Sequence, residues 1–167
     1  LLAEGPGSGV AIELDFAPEP EEEMDERHPP EELTCVMDAD ASQRQCVLAA
    51  RAGRSFVMDG PPGTGKSQTI TNMIAQLIAD GKTVLFVSEK AAALDVVQRR
   101  LAALKLDPFV LALHSSKATR KAVAQELGAA LRERPQSTST LGSADIETLR
   151  TARRKLTNYA VAMNSVR

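Results

Sequence analysis

The stretch SFVMDGPPGTGKS, residues 55–67, joins a short apolar run directly to a glycine-rich loop. Gly60, Gly65, Lys66 and Ser67 fit the phosphate-binding pattern G-x-x-x-x-G-K-S/T. Glycines let the backbone approach a polyphosphate closely, and the loop amides and the N-terminus of the next helix supply donors and positive potential. The stretch therefore predicts a nucleotide site between a strand and a helix. An incidental glycine-rich turn is the alternative.

The overall composition limits the class of protein. With 167 residues, the chain is long enough for one domain with a sizeable core. A net charge of −2 and few aromatic residues give no global signature of nucleic-acid binding, so such a surface would be local. Cys35 and Cys46 are too few for a metal site and indicate reduced thiols, and no apolar run could span a bilayer. We therefore expect a cytoplasmic segment of a longer protein, without a membrane partner.

Strand and helix patterns alternate on both sides of the loop. Apolar runs at 55–58, 83–87 and 109–113 predict three strands. Apolar residues at helical spacing predict helices over about 66–80 and 91–104 between them. This alternation predicts an α/β fold in three layers, with a parallel sheet sandwiched by helices.

The two ends of the chain differ from this alternating part. Residues 1–34 are rich in Pro and Glu and predict an acidic linker, although alternating apolar residues at 10–16 would also fit an edge segment. Beyond residue 116 the pattern is helical, and about residues 144–167 carry a heptad-like apolar stripe. We expect either an antiparallel helical hairpin that projects from the domain or an ordinary packing helix.

Gln43 lies upstream of the loop, at the start of a predicted helix. Its amide could accept a hydrogen bond from the adenine amino group and donate to a ring nitrogen, a pair of contacts that guanine would not satisfy. An exposed glutamine at a helix start is the alternative. The sequence also lacks an Asn-Lys-x-Asp element, which is the usual reader of guanine.

Three segments in this order resemble a superfamily 1 helicase, of the branch that includes RNA-decay and DNA-processing helicases. They are Asp40-Ala41-Ser42-Gln43, the loop GPPGTGKS at 60–67, and VLFVSEKAAAL at 84–94. The match is closest to large bacterial helicase-like proteins and covers about residues 36–131.

The resemblance implies a truncated P-loop NTPase domain of the RecA-like type. It divides the chain into the linker or edge segment 1–34, a partial RecA-like ATP-binding domain at 35–116, and an incomplete helical arm insertion at 117–167. The implied cofactors are ATP and Mg²⁺. The implied partners in the full-length protein are single-stranded DNA or RNA and a second RecA-like domain of the same chain.

Individual residues receive roles from the motif and the resemblance. Lys66 would bind the β- and γ-phosphates and Ser67 the Mg²⁺ ion, which makes them the predicted catalytic residues. The predicted nucleotide-binding residues are Gln43, Gly60, Pro61, Pro62, Gly63, Thr64, Gly65, Lys66, Ser67 and Gln68. The predicted contacts to a nucleic-acid strand are Ser88, Lys90, Ser115, Ser116 and Lys117, with ordinary polar loop residues as the alternative.

Hydrolysis of ATP needs an acidic pair that holds Mg²⁺ and polarises water, and usually an arginine as well. The resemblance implies that the acidic pair follows the helical arm and that the arginine comes from the second domain. We therefore expect the ATP-binding portion of an ATP-dependent helicase or translocase, with negligible hydrolysis by this segment alone. A non-motor adenine-nucleotide module, such as an AAA-type regulator or a small-molecule kinase, is the alternative.

Overall fold

The computed structural model describes residues 18–33, 35–113, 119–132 and 142–164. These parts of the chain contain six α-helices and one short 3-10 turn, Asp107–Phe109. The helices are α1 Glu21–Arg27, α2 Ala41–Arg51, α3 Lys66–Ala79, α4 Ala91–Ala103, α5 Arg120–Arg132 and α6 Ser143–Asn164.

Helix α3 is the central element, because both α2 and α4 pack against it. Its apolar stripe includes Ile70, Ile74 and Ile78, which recur every four residues and so share one face. The helix ends at a left-handed glycine, Gly81, and the next N–H, from Lys82, donates to the Leu77 carbonyl at 2.8 Å. This is the hydrogen-bond pattern of a Schellman ending, and the helix predicted from the sequence is confirmed.

The apolar core lies mainly between α3 and α4. Ile74 of α3 and Val97 and Leu101 of α4 are buried together. Half-buried apolar residues surround them, namely Ile70, Ile78, Val84, Phe86, Leu106 and Val110. The core therefore draws side chains from two of the predicted strand segments as well as from the helices.

The predicted parallel sheet is wrong for the described residues, which contain no strand. The runs at 55–58, 83–87 and 109–113 are all described, and none pairs its backbone with another in a ladder. Parallel strands are stable where helices cover both faces of the sheet. Here each run has only one covered face.

Exposure alternates along these runs and explains why they read as strands. Val84 and Phe86 contact the core, whereas Leu85 and Val87 are exposed. Likewise, Val110 is half-buried and Leu111 is exposed. An apolar run in the sequence indicates that its side chains favour burial. It does not specify which segment will provide hydrogen-bonding partners for its backbone N–H and C=O groups.

The acidic segment before residue 34 packs against α6. Met24 of α1 is buried, and the Arg153 guanidinium of α6 donates to the His28 carbonyl at 2.7 Å. Arg150 of the same helix pairs with Glu31, whose pKa is held below its usual value chiefly by this hydrogen bond. The apolar stripe predicted for α6 stays exposed among the described residues, and the alternating segment at 10–16 lies outside them.

Candidate nucleotide-binding site

The glycine-rich loop is a tight backbone turn whose shape requires glycine. Gly63 has a φ of +90° and Gly65 a φ of +79°, values at which a side chain would be strained. A Cβ on Gly60 would lie 2.7 Å from Thr64 Oγ1, so a larger residue there would force the Thr64 side chain to move. Thr64 closes the turn, because its hydroxyl donates to the Pro61 carbonyl at 2.9 Å. Pro62 is exposed in the same turn.

The Lys66 side chain folds back against the loop. Its Nζ donates to the Gly60 carbonyl and, at 2.8 Å, to the Pro61 carbonyl. The ammonium group therefore lies at the loop backbone, where the motif predicts phosphate. A phosphate oxygen would be a stronger acceptor than either carbonyl, because both partners of that hydrogen bond would be charged.

Helix α3 begins directly after the loop, with Gly65 as its N-cap. The first N–H groups of a helix lack the usual acceptor four residues earlier, and the helix dipole makes this end favourable for an anion. In α3 the Gln68 N–H instead donates to the Gly65 carbonyl at 2.8 Å. Ser67 is half-buried in that first turn. Gln68, one residue further on, donates through Nε2 to the Asp38 carbonyl and so links α3 to the segment before α2.

Gln43 lies next to the loop although it is far from it in sequence. Its Nε2 donates to the Thr64 carbonyl at 3.1 Å, and its Oε1 accepts from the Asp40 N–H at 3.3 Å. The second contact belongs to a capping box at the start of α2, in which the Asp40 carboxylate accepts from the Gln43 N–H at 2.8 Å. Each end of the Gln43 amide uses one of its two hydrogen-bonding positions in these contacts. The amide is therefore fixed beside the loop with further capacity to donate and to accept.

The charge of Asp40 supports this arrangement. The hydrogen bond from the Gln43 backbone N–H, followed by that from the Ser42 hydroxyl, lowers the pKa of the Asp40 carboxyl below its usual value. Both bonds favour the ionised form, so the cap is charged and intact at neutral pH.

The residues predicted to contact a nucleic-acid strand are only partly described. Lys90 is exposed at the N-cap of α4, and its backbone N–H donates to the half-buried Ser88 hydroxyl at 3.3 Å. The Ser88 hydroxyl thus lies beside the Lys90 backbone, and both residues follow one core segment. Ser115, Ser116 and Lys117 lie outside the described residues.

Sequence reasoning missed Asn72, which is fully buried in α3. Its Oδ1 accepts from the Met37 N–H at 2.9 Å and its Nδ2 donates to the Met37 carbonyl at 3.0 Å. The helical pattern carried no signal of this burial, because residue 72 lies on the side of α3 opposite Ile70 and Ile74, where a polar residue is expected to be exposed. Buried polar groups are nearly always hydrogen-bonded, and both partners of Asn72 are backbone groups of Met37.

The glycine-rich turn, the lysine at its backbone and the helix that follows define a P-loop nucleotide-binding domain. The chain belongs to the family described as "AAA domain" (AAA_11), whose match covers residues 38–165. No described helix combines the length and the hydropathy that crossing a membrane requires.

Several curated proteins are similar to part of this chain. "Uncharacterized ATP-dependent helicase MG140" of Mycoplasma genitalium is 50% identical over 66 residues, which are 40% of this chain and 6% of that protein. "DNA-binding protein SMUBP-2" of Mus musculus is 37% identical over 67 residues, which are 40% of this chain and 7% of that protein. The resemblance to superfamily 1 helicases is thereby confirmed. No solved structure matches the chain.

Proposed function

We propose that this chain binds ATP between the phosphate loop and Gln43, as the nucleotide-binding part of a helicase motor. The observation that carries the proposal is the contact of the Gln43 amide with the Thr64 carbonyl. Through this one hydrogen bond, the residue that we propose to recognise adenine, Gln43, contacts the phosphate loop. A nucleotide whose phosphates contact Lys66 would extend its base towards Gln43.

The phosphates would be held by the loop amides, the N-terminus of α3 and the Lys66 ammonium. Ser67 is the proposed Mg²⁺ ligand, since its hydroxyl type and its place after the lysine suit that ion. Hydrolysis also needs carboxylates that hold the metal and polarise water. After the apolar run 84–87 the sequence offers a single carboxylate, Glu89, which Ser88 separates from the run. We infer that these residues bind ATP and hydrolyse it negligibly without groups from elsewhere.

The motor function rests on the relatives, one of which is named an ATP-dependent helicase and another a DNA-binding protein. Strand translocation would require a second RecA-like domain that opens and closes on ATP against this one. Ser88 and Lys90 are the described candidates for gripping the strand, and both groups suit phosphate rather than base edges. Ser115, Ser116 and Lys117 complete the proposed contact.

The base specificity tests the nucleotide proposal. We expect the protein to bind ATP about tenfold more tightly than GTP, and Gln43→Ala to remove most of this preference. Titration with a fluorescent nucleotide analogue, displaced by ATP or by GTP, measures the ratio. Gln45→Ala is the matched control, because it removes an amide of the same helix whose Nε2 donates to the Glu19 carbonyl instead. Equal affinity of the unaltered protein for ATP and GTP would contradict adenine reading.

The strand contact requires a separate measurement. We expect a single-stranded oligonucleotide to crosslink to the protein near Ser88 and Lys90, and the yield to fall several-fold in Lys90→Ala. Lys105→Ala is a control at another exposed lysine, which follows the other end of α4. An equal fall in both variants would indicate non-specific charge attraction.

A further inference from the structure

We propose that Asn72 is a positioning residue, which sets the ATP preference of the site by holding Gln43 against the phosphate loop. The proposal rests on the proposed function of Gln43 and extends it to a residue that touches no nucleotide. Its basis is the pair of hydrogen bonds between the Asn72 side chain and the Met37 backbone.

The contact between Asn72 and Met37 is unusually specific for a side chain. One amide satisfies both the N–H and the C=O of a single residue that lies 35 positions earlier in the chain. A side-chain amide carries an N–H and its C=O on the same edge, whereas a trans peptide group points them in opposite directions. Asn72 can therefore engage both groups of Met37 at once, which fixes the position and the direction of the segment. Because Asn72 is fully buried, water cannot replace these bonds without a large cost.

Two neighbouring contacts hold the same segment. Gln68, one turn before Asn72 on α3, donates to the Asp38 carbonyl. From α4, the Arg100 guanidinium approaches Met37 Sδ at 3.7 Å. The segment 37–38 is thus attached to the helix that begins at the phosphate loop.

The attached segment leads directly to Gln43. Asp40, three residues after Met37, is the N-cap of α2 and accepts from the Gln43 N–H. Gln43 in turn donates to the Thr64 carbonyl in the loop. Helix α3, the segment 37–40, the start of α2 and the loop therefore form a closed circuit of contacts. Removing the Asn72 bonds takes away the buried contacts of this circuit, so that the segment is held only by the exposed Gln68 contact and by Arg100.

The test compares Asn72→Leu, which keeps the branching and the number of side-chain heavy atoms and loses both hydrogen bonds, with Gln76→Leu. Gln76 is an equally buried amide one turn later on α3, and its Nε2 donates to Asp80 Oδ1 at 3.2 Å, at the end of the helix away from the loop. Each variant removes a side-chain amide that is buried to a similar extent, so the two losses of unfolding free energy should be comparable. A milder variant, Asn72→Ser, serves if Asn72→Leu does not fold, since one hydroxyl cannot span both Met37 groups.

The ratio of ATP to GTP affinity distinguishes positioning from mere stabilisation. We expect Asn72→Leu to reduce the ratio to nearly that of Gln43→Ala, and the double variant to reduce it no further. We expect Gln76→Leu to keep the ratio of the unaltered protein. A ratio that survives in both Asn72→Leu and Asn72→Ser would overturn the proposal.

Hydrogen exchange of the Gln43 backbone N–H tests, in the absence of nucleotide, whether Asn72 positions Gln43. Loss of protection at Gln43 in Asn72→Leu, with retention in Gln76→Leu, supports the positioning role, and equal protection in both variants overturns it. If the unaltered protein binds ATP and GTP equally, adenine reading by Gln43 fails. The exchange result then still decides whether Asn72 positions the start of α2.

Discussion

Replacing Lys66 with alanine is expected to weaken ATP binding by about 10- to 100-fold. A hydrogen bond between charged groups contributes roughly 1.5–3 kcal/mol, and the Lys66 ammonium is the cation that lies at the loop backbone. The same loss is expected for GTP, because the lysine would contact phosphates and not the base. Calorimetric titration with each nucleotide measures both affinities.

The control for this prediction is Lys82→Ala. Lys82 follows the other end of α3 and donates to the Arg51 carbonyl at 2.6 Å, so its removal changes the net charge equally. We expect ATP affinity to change little in that variant. An equal loss in both variants would mean that the effect is long-range electrostatics. Vigorous ATP turnover by the chain alone, abolished in Lys66→Ala, would show that the catalytic carboxylates lie within it.

The phosphate loop could be predicted from the sequence because its determinants are local. Gly63 and Gly65 take left-handed conformations that follow from their own lack of a side chain, and the helix after them is specified by its own apolar spacing. The predicted sheet was wrong for the described residues, because strand pairing is not determined locally. Strands need hydrogen-bonding partners from distant parts of the chain, and the alternation at Val84 to Val87 fixes only which side chains face the core.

The parts of the candidate site that depend on long-range contacts were predicted unequally. Gln43 could be singled out because of its place in an ordered set of motifs, but its contact with Thr64 could not be read from spacing. Asn72 was overlooked, since helical spacing places it opposite the apolar stripe of α3, where an exposed polar residue is expected. Its pairing with Met37 depends on how α3 packs against the segment before α2, which only the folded chain specifies.

Replacing Gly65 with alanine is expected to abolish the ATP preference and to destabilise the fold by roughly 1–2 kcal/mol. The loss of unfolding free energy is expected because a left-handed φ of +79° is unfavourable for alanine. The loss of the preference for ATP over GTP has a different cause. A Cβ at Gly65 would lie 2.5 Å from Gln43 Nε2, so the flexible amide must move and release the Thr64 carbonyl.

Gly81→Ala separates these two causes. Gly81 ends the same helix with a φ of +71°, and a Cβ there would meet no atom within 4 Å. Chemical denaturation should therefore show similar losses of unfolding free energy in the two variants, while nucleotide titration shows a lost ATP preference in Gly65→Ala alone. If Gly81→Ala loses the preference too, backbone strain in α3 is sufficient to disturb the site. If Gly65→Ala retains it, the contact between Gln43 and the loop does not select the base, because that contact cannot coexist with the new methyl group.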